Sequence, residues 1–76
     1  MKIDKVEFVD DEVIFTDEKS GDTQILVGKA PLRLSNEDIE ETFLYEEVEW
    51  LVDQTDDKCY GYILNGEKVI FGQDNI

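Results

Sequence analysis

Carboxylates are almost the only side chains in this chain that could do chemistry. Twenty aspartates and glutamates stand against seven lysines and arginines, with no histidine and one cysteine, Cys59. This composition excludes a disulfide framework, a Cys/His zinc site and a histidine acid/base catalyst. The net charge of −13 also argues against direct binding to nucleic acid or to an anionic membrane, because both require positive charge on the protein.

Half of the carboxylates lie in residues 34–57, which we call the acidic segment. It holds ten acids and no base, whereas residues 1–30 carry eight acids and four bases. A merely solvated face mixes charges of both signs, because like charges repel and destabilise the fold. We therefore interpret the segment as a partner-binding surface, with acidity for solubility as the competing explanation. The candidate partner-binding residues are Glu37, Asp38, Glu40, Glu41, Tyr45, Glu46, Glu47, Glu49, Asp53, Asp56 and Asp57.

Tyr45 is included because it lies beside the acids and off the helical side of Ile39 and Phe43, which predicts an exposed ring, and because interface hot spots favour aromatic residues. The oxygens of Asp53, Asp56 and Asp57 cluster, but they lack the spacing, the glycine and the terminal glutamate of a calcium loop. Paired carboxylates suit a glycosidase-type mechanism, yet a domain this small rarely encloses a substrate cleft, and no phosphate loop or nucleophile motif is present. We predict no metal, no cofactor and no enzymatic activity.

The 76 residues suffice for a single domain, residues 1–76, and the 41% hydrophobic content favours a folded chain. The N-terminal residues alternate charged with apolar side chains, so we expect no signal peptide. A lone thiol fits a reducing compartment, and we therefore expect a cytoplasmic location, which includes the cytoplasm of a host cell. We take the protein to be a monomer.

Apolar residues alternate with polar ones in residues 3–9 and 12–17, which predicts a hairpin around the turn Asp10-Asp11. A second turn at residues 19–22 leads to a third predicted strand at 23–27. The predicted cross-strand neighbours are Phe8 with Val13, Val6 with Phe15, and Leu26 with Phe15. The opposite face of this meander is predicted to carry Ile14, Ile25 and Val27.

Asn65-Gly66 separates two β-rich runs, residues 60–64 and 67–71, and this dipeptide favours the type I′ turn of a two-residue hairpin. The register of that turn pairs Tyr62 with Val69 and Tyr60 with Phe71. We predict that the tyrosine face is the core face. Cys59 falls on the opposite face, where Lys58 beside it would lower the pKa of the thiol slightly if both were exposed. The small residues of that face instead favour a packed, structural role for Cys59.

The middle of the chain has two interpretations. Ser35 followed by acids resembles a capped helix start, and a helix could extend as far as residue 54. However, Ile39 and Phe43 share one helical side, whereas the apolar residues from Leu44 onward lie on the other side. We therefore predict a helix at 36–45 and a strand at 47–53, with one long helix as the alternative. In that strand Glu47 and Glu49 would lie about 6.6 Å apart on one face.

Together these elements predict an α+β fold that is mostly antiparallel β, with two three-stranded meanders and one short acidic helix. In size and composition the whole chain resembles phage-encoded inhibitors that mimic DNA, of the anti-CRISPR and anti-restriction type. The resemblance implies a basic nucleic-acid-binding protein as the partner and assigns no individual residue. Two alternatives stay open: an immunity or antitoxin protein that plugs a basic nuclease, and an acidic interaction module with a partner unrelated to nucleic acid.

Overall fold

The computed structural model describes residues 1–17, 19 and 24–72. Two three-stranded antiparallel sheets, in the orders β1-β2-β3 and β4-β5-β6, are joined by two helices. This architecture confirms the predicted α+β, mostly β fold. In chain order the elements are β1 (Ile3–Val9), β2 (Glu12–Asp17), β3 (Gln24–Gly28), α1 (Lys29–Leu32), α2 (Asn36–Phe43), β4 (Val48–Val52), β5 (Cys59–Leu64) and β6 (Glu67–Ile70).

A short backbone junction connects the two sheets. The N–H of Ile3 donates to the carbonyl of Glu46 at 3.0 Å, and the N–H of Tyr45 donates to the carbonyl of Ile3 at 2.7 Å. The N–H of Val48 donates to the carbonyl of Met1 at 2.8 Å. The beginning of β1 therefore lies beside the residues that lead into β4, and the two meanders form one hydrogen-bonded unit.

Both sheets and both helices contribute to one core. Its buried members are Ile3, Val13, Phe15, Val27, Leu32, Ile39, Phe43 and Val48. Aromatic rings tie the layers together: the centroid of Phe15 lies 5.1 Å from Phe43 and 4.8 Å from Trp50, and Tyr62 lies 5.1 Å from Phe43. Such pairs add about 0.5–1.5 kcal/mol each beyond the burial of their area, so this cluster is a main source of stability.

The first hairpin has the predicted register, with Phe8 opposite Val13 and Val6 opposite Phe15. The third strand does not. Phe15 faces Ile25, and Leu26 faces Ile14 and is 60% exposed. A one-residue slip moves every side chain of a strand to the other face, so Ile25 and Val27 pack on the core side and the predicted position of Leu26 is wrong. Apart from Lys19, the predicted turn at 19–22 lies outside the described residues.

The predicted change from helix to strand in the middle of the chain is confirmed, and the long-helix alternative is wrong. Helix α2 ends at Phe43, two residues before the predicted end, and β4 follows. Tyr45 between them has a φ of 66°, which turns the chain out of the helix. Helix α1 was not predicted. Pro31 lies inside this helix, since proline is tolerated in the first turn.

The second hairpin closes as predicted. Asn65 and Gly66 have φ values of 53° and 81°, as a type I′ turn requires. Tyr62 pairs with Val69, and the N–H of Phe71 donates to the carbonyl of Tyr60 at 2.9 Å. The prediction that Tyr60 is a core residue is wrong: it is 44% exposed. The β4–β5 register shifts between Leu51 and Val52, immediately beside Tyr60, and interrupts the alternation of faces.

Gly61 is buried in β5 opposite Ile70 of β6, and a methyl group there would overlap the carbonyl oxygen of Val69. We expect Gly61→Ala to lower the free energy of unfolding by about 1–3 kcal/mol, because the backbone must move to accept the added group. Urea unfolding measures this loss. Gly28→Ala is the control: its added methyl would meet Pro31 at an ordinary 3.5 Å and should leave stability nearly unchanged. Equal losses in the two variants would contradict this account of the β5–β6 contact.

Burial raises the pKa of Tyr62 above its usual value, and the negative charge of Glu67 raises it further. The folded state therefore holds this proton more tightly than the unfolded state, and the resulting stability falls as the pH rises above about 10. We expect Tyr62→Phe to lose less stability than the native protein between about pH 8 and pH 10.5. Urea unfolding at both pH values tests this, with Tyr60→Phe as the control at an exposed tyrosine. An unchanged pH dependence in Tyr62→Phe would contradict the prediction.

Candidate partner-binding surface

The start of α2 is fixed by a side-chain cap. The hydroxyl of Ser35 accepts a hydrogen bond from the N–H of Asp38 at 3.2 Å and donates one to the Asp38 carboxylate at 2.9 Å. Glu37 and Asp38 lie in the first turn, where negative charge complements the helix dipole. Asp38 therefore stabilises the start of the helix, and its carboxylate is already hydrogen-bonded to the capping serine.

The rotation of α2 is set by its two buried residues. Ile39 and Phe43 are fully buried against the sheets. The remaining helical positions must then turn outward, and Glu37, Glu40 and Glu41 are all exposed. Residues three and four apart on a helix are neighbours, with about 5–6 Å between their Cβ atoms. The core contacts of α2 thus present these three carboxylates together on its outer face.

A shallow, open pocket of about 370 Å³ lies on this outer face. It is lined by Glu37, Glu40, Glu41, Leu44 and Tyr45. The tyrosine is 64% exposed, as predicted from its position off the buried side, and Leu44 is half-buried against the core. The pocket therefore combines carboxylates with an apolar and an aromatic surface. It brings together four of the eleven predicted site residues.

Leu44 is the member of this pocket that the sequence interpretation missed. It was assigned only to the apolar stripe that changes phase in the middle of the chain. Its spacing of four residues from Glu40 and three from Glu41 is the helical spacing that places side chains on one face. The predicted helix at 36–45 already contained this spacing, so the signal was available in the sequence.

The acids at and before β4 do not line the pocket on α2. Glu46, Glu47 and Glu49 are exposed. One carboxylate oxygen of Glu47 lies 2.9 Å from the N-terminal ammonium of Met1, which also donates to the carbonyl of Val48 at 3.0 Å. Within the described part of the chain, Glu47 is the only acid of the segment in an ion pair. Its charge is therefore partly compensated, while Glu46 and Glu49 face solvent.

Asp53 shapes the connection between β4 and β5. Its carboxylate accepts a hydrogen bond from the N–H of Thr55 at 2.8 Å, and its carbonyl accepts one from the N–H of Asp57, also at 2.8 Å. Asp56 and Asp57 are exposed in the same turn. Among residues 1–17, 19 and 24–72, no group of three or more metal-ligating side chains is close enough to hold a metal ion. The turn's contacts are structural.

Two further features lie away from the acidic segment. The Cys59 thiol donates to the carbonyl of Gly61 at 3.3 Å, and burial raises the pKa of that thiol. Cys59 is half-buried and packs against the core, which confirms the predicted packed, structural role of this thiol. A second pocket, of about 250 Å³, is lined by Thr42, Tyr62, Leu64, Asn65, Glu67 and Val69.

All ten acids of the segment are exposed along α2, the approach to β4, β4 itself and the following turn, and the N-terminal ammonium lies against one of them, Glu47. No helix among the described residues is long and apolar enough to span a membrane. No protein-family model, curated protein or solved structure matches this chain.

Neutralising two of the pocket acids should stabilise the protein. Each like-charge pair at helical spacing costs about 0.2–0.5 kcal/mol, so Glu40→Gln with Glu41→Gln should raise the free energy of unfolding by about 0.5 kcal/mol. The gain should shrink as added salt screens the repulsion. Urea unfolding at low and high salt measures both effects. Asp11→Asn with Glu12→Gln, two exposed acids outside the segment, should give a smaller gain; equal gains would mean that total charge, rather than crowding on α2, causes the repulsion.

Proposed function

We propose that this protein is a non-enzymatic inhibitor that mimics DNA and occupies the basic nucleic-acid-binding groove of a CRISPR or restriction effector. One observation carries the proposal: ten carboxylates with no base among them are all exposed on one continuous segment. Such a surface costs stability through repulsion, and a partner that supplies the missing positive charge would offset this cost on binding. The proposed site of action is the cytoplasm, with the protein acting as a monomer.

The charge spacing on α2 supports the comparison with DNA. The eight residues of α2 extend over about 12 Å, since each residue of an α-helix rises about 1.5 Å. Four of them are acids: Glu37, Asp38, Glu40 and Glu41. The helix therefore carries one negative charge per about 3 Å of its axis. One strand of B-DNA carries one charge per about 3.4 Å, so a groove built for phosphates would meet a similar charge density.

The mechanism is occupation rather than chemistry. Lysines and arginines of the partner's groove attract the acidic surface at long range, which raises the association rate more than the final affinity. Individual exposed charges contribute about 1 kcal/mol or less, so single substitutions should have small effects. Binding should weaken as salt is added, because the Debye length is only about 8 Å at physiological ionic strength.

Competition for the partner tests the proposal. The immobilised protein captures its partner from a lysate of the source cell, and the captured partner is then loaded with a short fluorescent DNA duplex. Added protein should displace the duplex. The double variant Glu40→Lys with Glu41→Lys should compete at least about tenfold less well, because two contacts of up to about 1 kcal/mol become repulsive. Fluorescence anisotropy at fixed salt gives the inhibition constants.

Asp11→Lys with Glu12→Lys is the matched control, because it changes net charge equally at two exposed acids outside the acidic segment. It should compete within about twofold of the native protein if its charges lie outside the interface. Equal losses in both variants would mean that bulk charge mediates binding. Simultaneous binding of duplex and protein would overturn the mimicry. A captured nuclease that is inhibited without losing its DNA would instead indicate an immunity protein, and a partner that binds no DNA would indicate a general interaction module.

A further inference from the structure

The pocket on α2 has a chemistry of its own beyond its negative charge. Leu44 and Tyr45 line it with apolar and aromatic surface, and Glu37, Glu40 and Glu41 are the other lining residues. Within the described residues, none of these three carboxylates takes part in an ion pair. A ligand that fits must therefore carry positive charge and also an apolar or flat portion. Small inorganic cations meet only the first requirement.

The aromatic side of the pocket is held in place by the fold. The N–H of Tyr45 donates to the carbonyl of Ile3 at 2.7 Å, and the N–H of Glu46 donates to the carbonyl of Phe43 at 3.0 Å. The backbone on both sides of the ring is thus fixed by β1 and by the end of α2. A ring presented on a fixed backbone loses less conformational freedom on binding, which favours its use as an anchor.

We propose that this pocket receives an arginine side chain of the partner. The guanidinium is planar, stacks on aromatic rings, is more weakly hydrated than an ammonium, and donates paired hydrogen bonds to carboxylates. Its aliphatic stem would lie against Leu44. Lysine offers a compact, strongly hydrated charge that uses the ring less well. The inference rests on the proposed function for the presence of a basic partner, but the pocket's preference for arginine is a property of this chain alone.

The preference can be measured without the partner. The full-length, ¹⁵N-labelled protein is titrated with N-acetyl-arginine amide and, separately, with N-acetyl-lysine amide at constant ionic strength, and amide chemical shifts are followed by NMR. The arginine derivative should give saturable shifts centred on residues 37–45. Its affinity should exceed that of the lysine derivative by about threefold or more, the factor expected from one exposed cation–π contact. Equal affinities, or small shifts spread over the whole acidic segment, would overturn the proposal.

Two substitutions at Tyr45 separate the ring from the backbone. Asparagine adopts the left-handed conformation that Tyr45 occupies, so Tyr45→Asn removes the ring with little backbone strain. It should weaken the preference for arginine over lysine, because only the contacts to the carboxylates remain, whereas Tyr45→Phe should retain the preference in full. Glu46→Gln, a neighbouring acid that does not line the pocket, is the charge control and should also retain the preference. Retention in Tyr45→Asn would overturn the assignment even if both variants fold normally.

The arginine titration and the DNA-competition experiment can fail independently of each other. Selective arginine binding without displacement of DNA from the partner would leave the pocket as an arginine site for a different basic protein. Displacement of DNA without selective arginine binding would support mimicry by charge alone and overturn the pocket assignment.

Discussion

The backbone junction between Ile3 and residues 45–48 is the contact on which the rest of the structure depends. Each meander alone is a three-stranded sheet with one apolar face, and such a face must be buried against another element. The junction brings the beginning of β1 beside the entry to β4, so that α2 and both sheets close around one aromatic cluster. It also fixes the backbone of Tyr45 and Glu46. The same backbone junction therefore positions both the core and the candidate surface.

The fold places two opposing demands on the same short helix. On its inner side, Ile39 and Phe43 are fully buried and connect the sheets. On its outer side, three glutamates and Tyr45 crowd around one pocket. The hydrophobic contacts must hold the helix in place against the repulsion of its own acids, which the cap by Ser35 and the helix dipole relieve only near the first turn. This cost is the physical reason for proposing that the surface binds a partner.

The acidic segment is not uniform once its contacts are known. Asp38 and Asp53 are hydrogen-bonded within their own elements, and Glu47 pairs with the N-terminal ammonium. The carboxylates most available to a partner are therefore those on the outer face of α2, together with Glu46 and Glu49. This division concentrates the proposed interface around Tyr45. It also explains why a charge count alone describes the surface incompletely.

Local patterns in the sequence determined the type of each main element and the exposure of the acids. Alternation specified the strands, Asn65-Gly66 specified its turn, and the change of apolar phase at Leu44 separated helix from strand, because each depends on neighbouring residues alone. The ten acids had to be exposed, since unpaired carboxylates are too costly to bury. The acidic half of the candidate site, with Tyr45, was therefore predictable.

Only the tertiary structure decided the register of β3, the exposure of Tyr60, the ion pair of Glu47 and the union of Leu44 with Tyr45 in one pocket. In a strand, a one-residue shift exchanges the two faces while leaving the local pattern equally satisfied. Packing against elements that are distant in the sequence determines which face of the strand is buried. Likewise, Glu47 meets a partner 46 positions away, a contact that no local spacing encodes. Sequence fixes what each segment prefers, whereas long-range hydrogen bonds and core packing choose among the arrangements those preferences allow.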